Sequence, residues 1–269
     1  MTAPTIRDAR DEDFAAVAEI ASEGGSHADD HYLAFVAAHG ALRVVTDDDG
    51  TVVAFGGVIP VGDATTMLTD LFVTTACRGR RIGSALLEAL FAGAEQRMTF
   101  SSRHAAALPA YRRAGMIPGW RLLYLRGSVP NGSTMGRAVR TRPLQRVTGS
   151  LDRPELADHF RALGADVRAN AILLGETLTG TEDHAETETR PAQAIDIVRL
   201  RDPRGIVAFD ELLASLPAGA SVSCCAPEHS PVASHARANG FVVVDHDVFC
   251  ATAGVSIPLD LHCLHPGLA

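Results

Sequence analysis

No lysine occurs in the 269-residue chain; all 24 of its Lys/Arg positions are arginine. The simplest source of such a bias is a GC-rich bacterial genome, whose codons favour arginine together with the abundant Ala, Gly and Val. Long apolar runs are also missing, so no membrane-spanning helix is expected. The N-terminal region carries Asp8, Asp11, Glu12 and Asp13, where a secretory signal requires positive charge followed by an apolar stretch. A soluble, cytoplasmic protein with no membrane partner is expected. Positive charge is short overall, and the net charge of −8 argues against a nucleic-acid surface and suits a cationic amine. The five cysteines are odd in number and irregularly spaced, which excludes a disulfide framework. His246, Cys250, His262, Cys263 and His265 match no zinc spacing, and Cys224-Cys225 read as buried strand residues, so no metal is expected.

What is present is a connected signal between Asp70 and Gly115. Leu68-Thr69-Asp70-Leu71-Phe72-Val73 reads as a buried strand. It leads through Cys77 into Arg78-Gly79-Arg80-Arg81-Ile82-Gly83-Ser84 and then into the apolar-periodic Ala85–Phe91. A strand, a short Gly/Arg loop and a helix start leave free backbone N–H groups at the positive end of the helix dipole. Gly79 and Gly83 admit close backbone approach to an anion, and Arg78, Arg80 and Arg81 add fixed positive charge. No Gly-Lys-Ser/Thr closes the loop, which excludes a Walker loop, and the three-glycine dinucleotide spacing is missing.

The loop resembles the acetyl-CoA loop of the GNAT superfamily of N-acetyltransferases, Arg/Gln-x-x-Gly-x-Gly/Ala. Arg78 and Gly83 fit, while Arg81 stands where the first glycine is usual, a substitution that a negative φ would accommodate. Downstream, His104 through Met116 resembles the family segment Asn-x-x-Ala-x-x-x-Tyr-x-x-x-Gly-Phe, with His104 for Asn, Tyr111 and Gly115 retained, and Met116 for Phe. The resemblance covers about the first 130 residues. It implies transfer of an acetyl group from acetyl-CoA, as co-substrate, to a primary amine. By resemblance, Leu71, Phe72 and Val73 hold pantetheine through their backbone, and Arg78, Gly79, Arg80, Arg81, Ile82, Gly83 and Ser84 take the pyrophosphate. His104 is a further candidate at the cofactor. Tyr111 is implied as the general acid for the departing thiolate. Asp70 is the candidate general base acting through water, with a structural hydrogen-bonding role as the alternative. His27, His31 and Tyr32 fall in the segment expected over the acceptor site, where solvated helix positions are the plainer reading. A lysine-free acetyltransferase would have no side-chain amine of its own to modify. A noncatalytic acyl-CoA-binding or regulatory module is the competing reading. The acceptor, whether small molecule or peptide, is not written in the motifs.

The chain also resembles itself. Set residues 196–220 under 70–94, and Asp70, Arg78, Gly79, Leu86, Leu87, Leu90 and Gly93 meet Asp196, Arg204, Gly205, Leu212, Leu213, Leu216 and Gly219. After a one-residue gap His104, Arg112 and Gly115 meet His229, Arg237 and Gly240. In this alignment Phe209 replaces Gly83 and fills the phosphate space, Arg80 and Arg81 are lost, and Ala236 replaces Tyr111. Asp196, by contrast, keeps the carboxylate of Asp70, which favours the structural reading of that residue. A period this long means two copies of one domain.

The expected fold is therefore α/β, with two GNAT-like domains, each a mixed twisted sheet flanked by helices. Residues 1–130 form the catalytic domain, 131–143 a linker rich in Gly and Pro signals, and 144–269 a degenerate copy that closes the cleft, holds a homodimer, or both. Strands are expected at Thr5–Arg7, Leu42–Val45, Val52–Ile59, Met98–Ser101, Leu122–Leu125 and Ile172–Leu178. Helices are expected at Asp11–Ser22, within Gly24–Gly40, around Tyr111 and at Pro154–Leu163, and Thr181–Thr189 reads as an exposed loop.

Overall fold

Apolar residues at helical spacing alternate with β-branched runs along most of the chain, and the computed structural model, which describes residues 5–61, 64–130, 153–176 and 194–268, turns that alternation into two α/β units. Unit 1 comprises Met1–Gly119 with Asp247–Ser256 and Pro266–Ala269; unit 2 comprises Trp120–His246 with Ile257–His265.

In unit 1 the sheet runs β1 (Thr5–Asp8), β2 (Ala41–Thr46), β3 (Val52–Val61), β4 (Thr65–Val73), β5 (Gln96–Ser101). The last position on this path belongs to the Val248–Ala251 end of β11 (Val242–Ala251), antiparallel to β5. Only β4 and β5 run parallel within it. The expected hairpin is present: Asp47 Oδ1 accepts the N–H groups of Asp49 and Thr51, and Gly50 takes φ +81°. Helices α1 (Phe14–Glu23), α2 (Asp30–His39), α3 (Ile82–Leu90) and α4 (Ala107–Arg113) complete the unit. α3 buries Ile82, Leu86, Leu87 and Leu90, one stripe at helical spacing, against β3 and β4.

Unit 2 holds α5 (Pro154–Ala162), β7 (Asp166–Val167), β8 (Ala171–Glu176), β9 (Ala194–Arg201), α6 (Ile206–Ala214), β10 (Ser221–Pro227), α7 (Pro231–Ala238) and β12 (Leu261–Cys263). β6 (Ile117–Ser128) pairs antiparallel with β10, which runs parallel to β9; β8 and β12 flank β9 antiparallel. Each unit thus carries the mixed sheet and flanking helices expected. Cys224 and Cys263 pack in the core of unit 2, Cys250 in that of unit 1.

The boundary differs from the expected one at residue 130. The chain leaves unit 1 at Gly119, because Leu122–Ser128 register against Pro227–Ser221, and Asp247–Ser256 return to unit 1 because Val248–Ala251 register against Ser101–Met98. The proposed linker 131–143 and the Thr181–Thr189 loop lie outside the described residues. Among the described residues no helix is long and apolar enough to cross a membrane.

Strand register also revises how the two halves correspond. Opposite β4, Gly57 pairs with Asp70 and Val58 with Leu68, so Thr69 is the extra residue of a bulge. Opposite β9, Ile172 pairs with Arg199 and Leu173 with Ile197, so Val198 is the extra residue. In both units the parallel pairing ends just before the bulge, at Leu68–Thr99 and Ile197–Cys224. The residue following the bulge is Asp70 in unit 1 and Arg199 in unit 2. Asp196, which the gapless alignment set against Asp70, sits earlier in β9 and accepts a bond from Ser223 Oγ. The Tyr111–Ala236 match stands: Met116 N–H bonds Tyr111 O, as Phe241 N–H bonds Ala236 O, and Gly115 and Gly240 both take positive φ.

Candidate active site

Past the bulge, β4 continues to Val73 without β5 as partner. Thr74 N–H donates to Val53 O at 3.0 Å. Antiparallel alternation then turns the main-chain groups of Phe72 and Asp70 toward β3 and those of Leu71 and Val73 away from it. Val73 O accepts instead from Arg78 Nε at 3.2 Å. This is a strand edge that β5 leaves without a ladder partner, the kind that takes an extended ligand.

That edge leads into the loop before α3. Gly79 has φ +80° and Arg81 φ +62°, the one non-glycine residue with positive φ among those described. The negative φ that would have accommodated Arg81 is therefore not what the backbone adopts. Arg81 is the residue preceding the first turn of α3, and its side chain makes no cap. Ala85 N–H bonds Arg81 O, so the N–H groups of Ile82, Gly83 and Ser84 precede the first helical bond. A Cβ at Gly83 would lie 3.4 Å from Val73 Cγ2, which places the glycine where strand edge and helix start meet. Left-handed backbone costs an L-residue about 1–2 kcal/mol. Arg81→Gly is expected to leave stability unchanged or raise it by up to about 1 kcal/mol, and Arg81→Val to lower it by about as much, by chemical denaturation. A clear loss in Arg81→Gly would show that the guanidinium contributes more than its backbone costs.

The loop before α6 is built differently. Asp202, buried, accepts from Asn170 Nδ2 (2.7 Å), from Arg204 N–H (2.8 Å) and from the Arg204 guanidinium, which also reaches Glu211 (2.8 Å). Burial works against the Asp202 carboxylate, but its Arg204 bonds outweigh burial and hold it below the usual range. Phe209 does not fill a phosphate space: it is fully buried in the unit 2 core against Phe241. The physical reason is that α6 starts earlier than the alignment implied, so Val207, exposed, is its second residue.

Near the splayed end of β4, Asp70 accepts from Tyr32 Oη at 2.5 Å. Burial pushes Asp70 above the usual carboxylate range, against the Tyr32 and Thr69 hydroxyls, which favour its ionised form. Tyr111, buried on α4, is pushed up by burial, with Cys250, Asp70 and Asp247 close enough to disfavour phenolate further. Cys250 is itself pushed up to about 11 by burial, against the pull of Arg112. His104 is exposed before α4, where its Nδ1 accepts from Ala106 N–H at 3.3 Å.

A strand edge freed by a bulge, an uncapped helix start beside it, and a half-buried carboxylate close enough to a buried phenol to act on it electrostatically form one constellation within unit 1. The acetyltransferase (GNAT) family model matches residues 5–116. Residues 5–116 are a GNAT domain. No curated protein matches the chain. Among solved structures, a putative acetyltransferase from Pyrococcus horikoshii is 13% identical, with TM-score 0.69, over 100% of this chain and 96% of that one. A GCN5-related N-acetyltransferase from Sphaerobacter thermophilus is 14% identical, with TM-score 0.57, over 94% and 98% respectively. At these identities the likeness is one of fold.

The sequence-expected Asp70, Tyr111 and residues 78–84 all lie within unit 1. Tyr32, expected among solvated helix positions, is instead half-buried and bonded to Asp70; His27 and His31 are exposed. Asp247 and Cys250 were not legible, because they reach the GNAT domain from a segment far along the chain.

Proposed function

We propose that the GNAT domain of unit 1 transfers an acetyl group from acetyl-CoA to a primary amine by direct attack. The observation that carries this reading is the junction of the freed β4 edge with the uncapped start of α3, within one unit that also holds Asp70 and Tyr111. The main-chain groups of Leu71 and Val73 pair with pantetheine. Arg78, Gly79, Arg80, Arg81, Ile82, Gly83 and Ser84 take the pyrophosphate through N–H groups and guanidinium charge, and His104, just before α4, is a further candidate at the cofactor. Asp70 accepts one proton of the ammonium through water, the neutral nitrogen attacks the thioester carbon, the C–S bond breaks and Tyr111 gives its proton to the sulfur; the surplus proton on the new amide nitrogen then leaves through water and restores the Tyr111 phenol. Raised by burial, Tyr111 is protonated at neutral pH and Asp70 is a stronger base than an exposed carboxylate. The acidic chain suits a cationic acceptor, a small amine or a peptide amine.

Unit 2 serves as a structural copy. Its loop is occupied by the Asp202–Arg204 pair, Arg199 follows its bulge, and Ala236 stands in place of the phenol.

Calorimetric titration with acetyl-CoA and thiol release over an amine panel test the reading: one site per chain with turnover is expected, and binding without turnover would favour the binding module. Asp70→Asn is expected to lower turnover on the order of 10²–10⁴-fold. The sign of its effect on stability follows from the raised carboxyl. That group's contribution is fully present below the ordinary carboxylate range and lost as pH rises through the raised value. Asp70→Asn should therefore be no less stable than wild type at neutral pH in thermal unfolding. A destabilised variant would mark Asp70 as structural.

A further inference from the structure

Given the reading of Asp70 as the base, the geometry points to Tyr32 as its positioning residue: an arm from α2 that holds the Asp70 carboxylate aimed and ionised toward the acceptor. Tyr32 Oη donates to Asp70 Oδ2 at 2.5 Å. The arm is anchored at its root, because Asp29, the N-cap of α2, accepts the backbone N–H of Tyr32 itself at 2.8 Å. Leu33 and Val36, buried on the same helix, fix its seat, and Val36 lies against Gly57, the residue paired with Asp70. The bulge contributes too. Thr69, which it leaves out of the ladder, sets its hydroxyl beside both Tyr32 and Asp70. One carboxylate thus accepts from a phenol of α2, with the Thr69 hydroxyl of its own strand close by but in no hydrogen bond, at the point where β4 parts from β5.

The groups around Asp70 assign the work. Tyr111 on α4 lies near enough to Asp70 for the carboxylate to disfavour its phenolate, as Asp247 and Cys250 of β11 also do, and Gly57 of β3 stands opposite Asp70. Among the described residues no cation acts on Asp70, and the hydrogen bond from Tyr32 is the chief contribution favouring its ionised form against burial. A hydrogen bond from a neutral donor to a carboxylate favours the charged state, and losing it makes the acid harder to ionise. Fixing one carboxylate oxygen also leaves the other to meet the water that carries the amine proton.

Tyr32→Phe keeps the ring and removes the donor. The acid limb of its kcat/KM profile is expected to move to higher pH, with about tenfold less activity below the limb and recovery toward wild type at alkaline pH. A residue that only packs would lower the unfolding midpoint and leave the limb in place. Carboxyl 13C titration of Asp70 in wild type and Tyr32→Phe, with acetyl-CoA and no acceptor, separates this inference from the proposed reaction. An upward move of the Asp70 midpoint in Tyr32→Phe is expected; identical midpoints would overturn the positioning role even in an active enzyme. A wild type that acetylates no amine would sink the proposed reaction, and a moved midpoint would still leave the positioning contact standing. Should Tyr32→Phe fail to fold, the wild type decides. The Tyr32 Cζ signal is expected to respond at the Asp70 midpoint, and a silent Tyr32 would overturn the inference.

Discussion

Gly83→Phe is expected to lower acetyl-CoA affinity at least on the order of 100-fold while the protein stays folded. Gly83 is the second residue of α3, and its missing side chain faces Val73, where strand edge and helix start converge. A benzyl group there stands over the free N–H groups of Ile82, Gly83 and Ser84 and displaces whatever lies along Val73. Each hydrogen bond from such donors to a phosphate oxygen is worth about 1.5–3 kcal/mol, and losing two already amounts to roughly a hundredfold. The stability cost is small because Gly83 is only half-buried, whereas the stripe Ile82, Leu86, Leu87 and Leu90 carries the packing of α3. Calorimetric titration of the variant checks this. Wild-type affinity would place the pyrophosphate elsewhere, and binding at the loop before α6 would overturn the division of roles between the units.

The fold was legible where apolar period and turn chemistry agreed. The α3 stripe, the Asp47–Gly50 hairpin and the Gly115 helix stop each follow from local residues. What lay hidden was register. A bulge adds one residue to one strand without changing composition, so identities along the sequence set Asp70 against Asp196, while backbone pairing sets it against Arg199. That shift removes the reason for reading Asp70 as a retained structural carboxylate: at the position after the bulge, the second unit has no carboxylate. Helix start is the other hidden variable. Phe209 looks like a plug in an ungapped alignment, yet the earlier start of α6 turns it into the core, and Asp202 occupies the loop instead.

Chain path hid the rest. Asp247 and Cys250 belong with Tyr111 only because the chain returns to unit 1 after building unit 2. No spacing rule links positions so far apart, and their residue types alone say nothing. Tyr32 was close to legible: an N-cap Asp three residues before an aromatic places that ring on the first turn of a helix. Its partner across the sheet was not, because that depends on which face β4 presents after the bulge.

Tyr111→Phe is expected to lower turnover about 10²-fold with little change in acetyl-CoA affinity. As the proposed general acid, the phenol would act only when negative charge gathers on the departing sulfur, so removing it is expected to cost transition-state rather than ground-state energy. Thiolate leaves tolerably well in water, which sets the expectation at the low end for general acid catalysis. The site itself keeps the effect from vanishing. Cys250, beside Tyr111, has its thiol pushed up to about 11 chiefly by burial, so a second thiolate released in the same surroundings is disfavoured too. That burial also raises the Tyr111 phenol, which keeps the proton in place until the sulfur needs it. The phenyl ring of the variant keeps its place in the core that also holds Ile82, Leu86 and Cys250, so proton and shape are separated. Turnover of Tyr111→Phe on the best amine of the panel, with affinity measured alongside, checks it. Wild-type turnover would make Tyr111 a packing residue, and a loss of affinity equal to the loss of turnover would make it a cofactor-binding one.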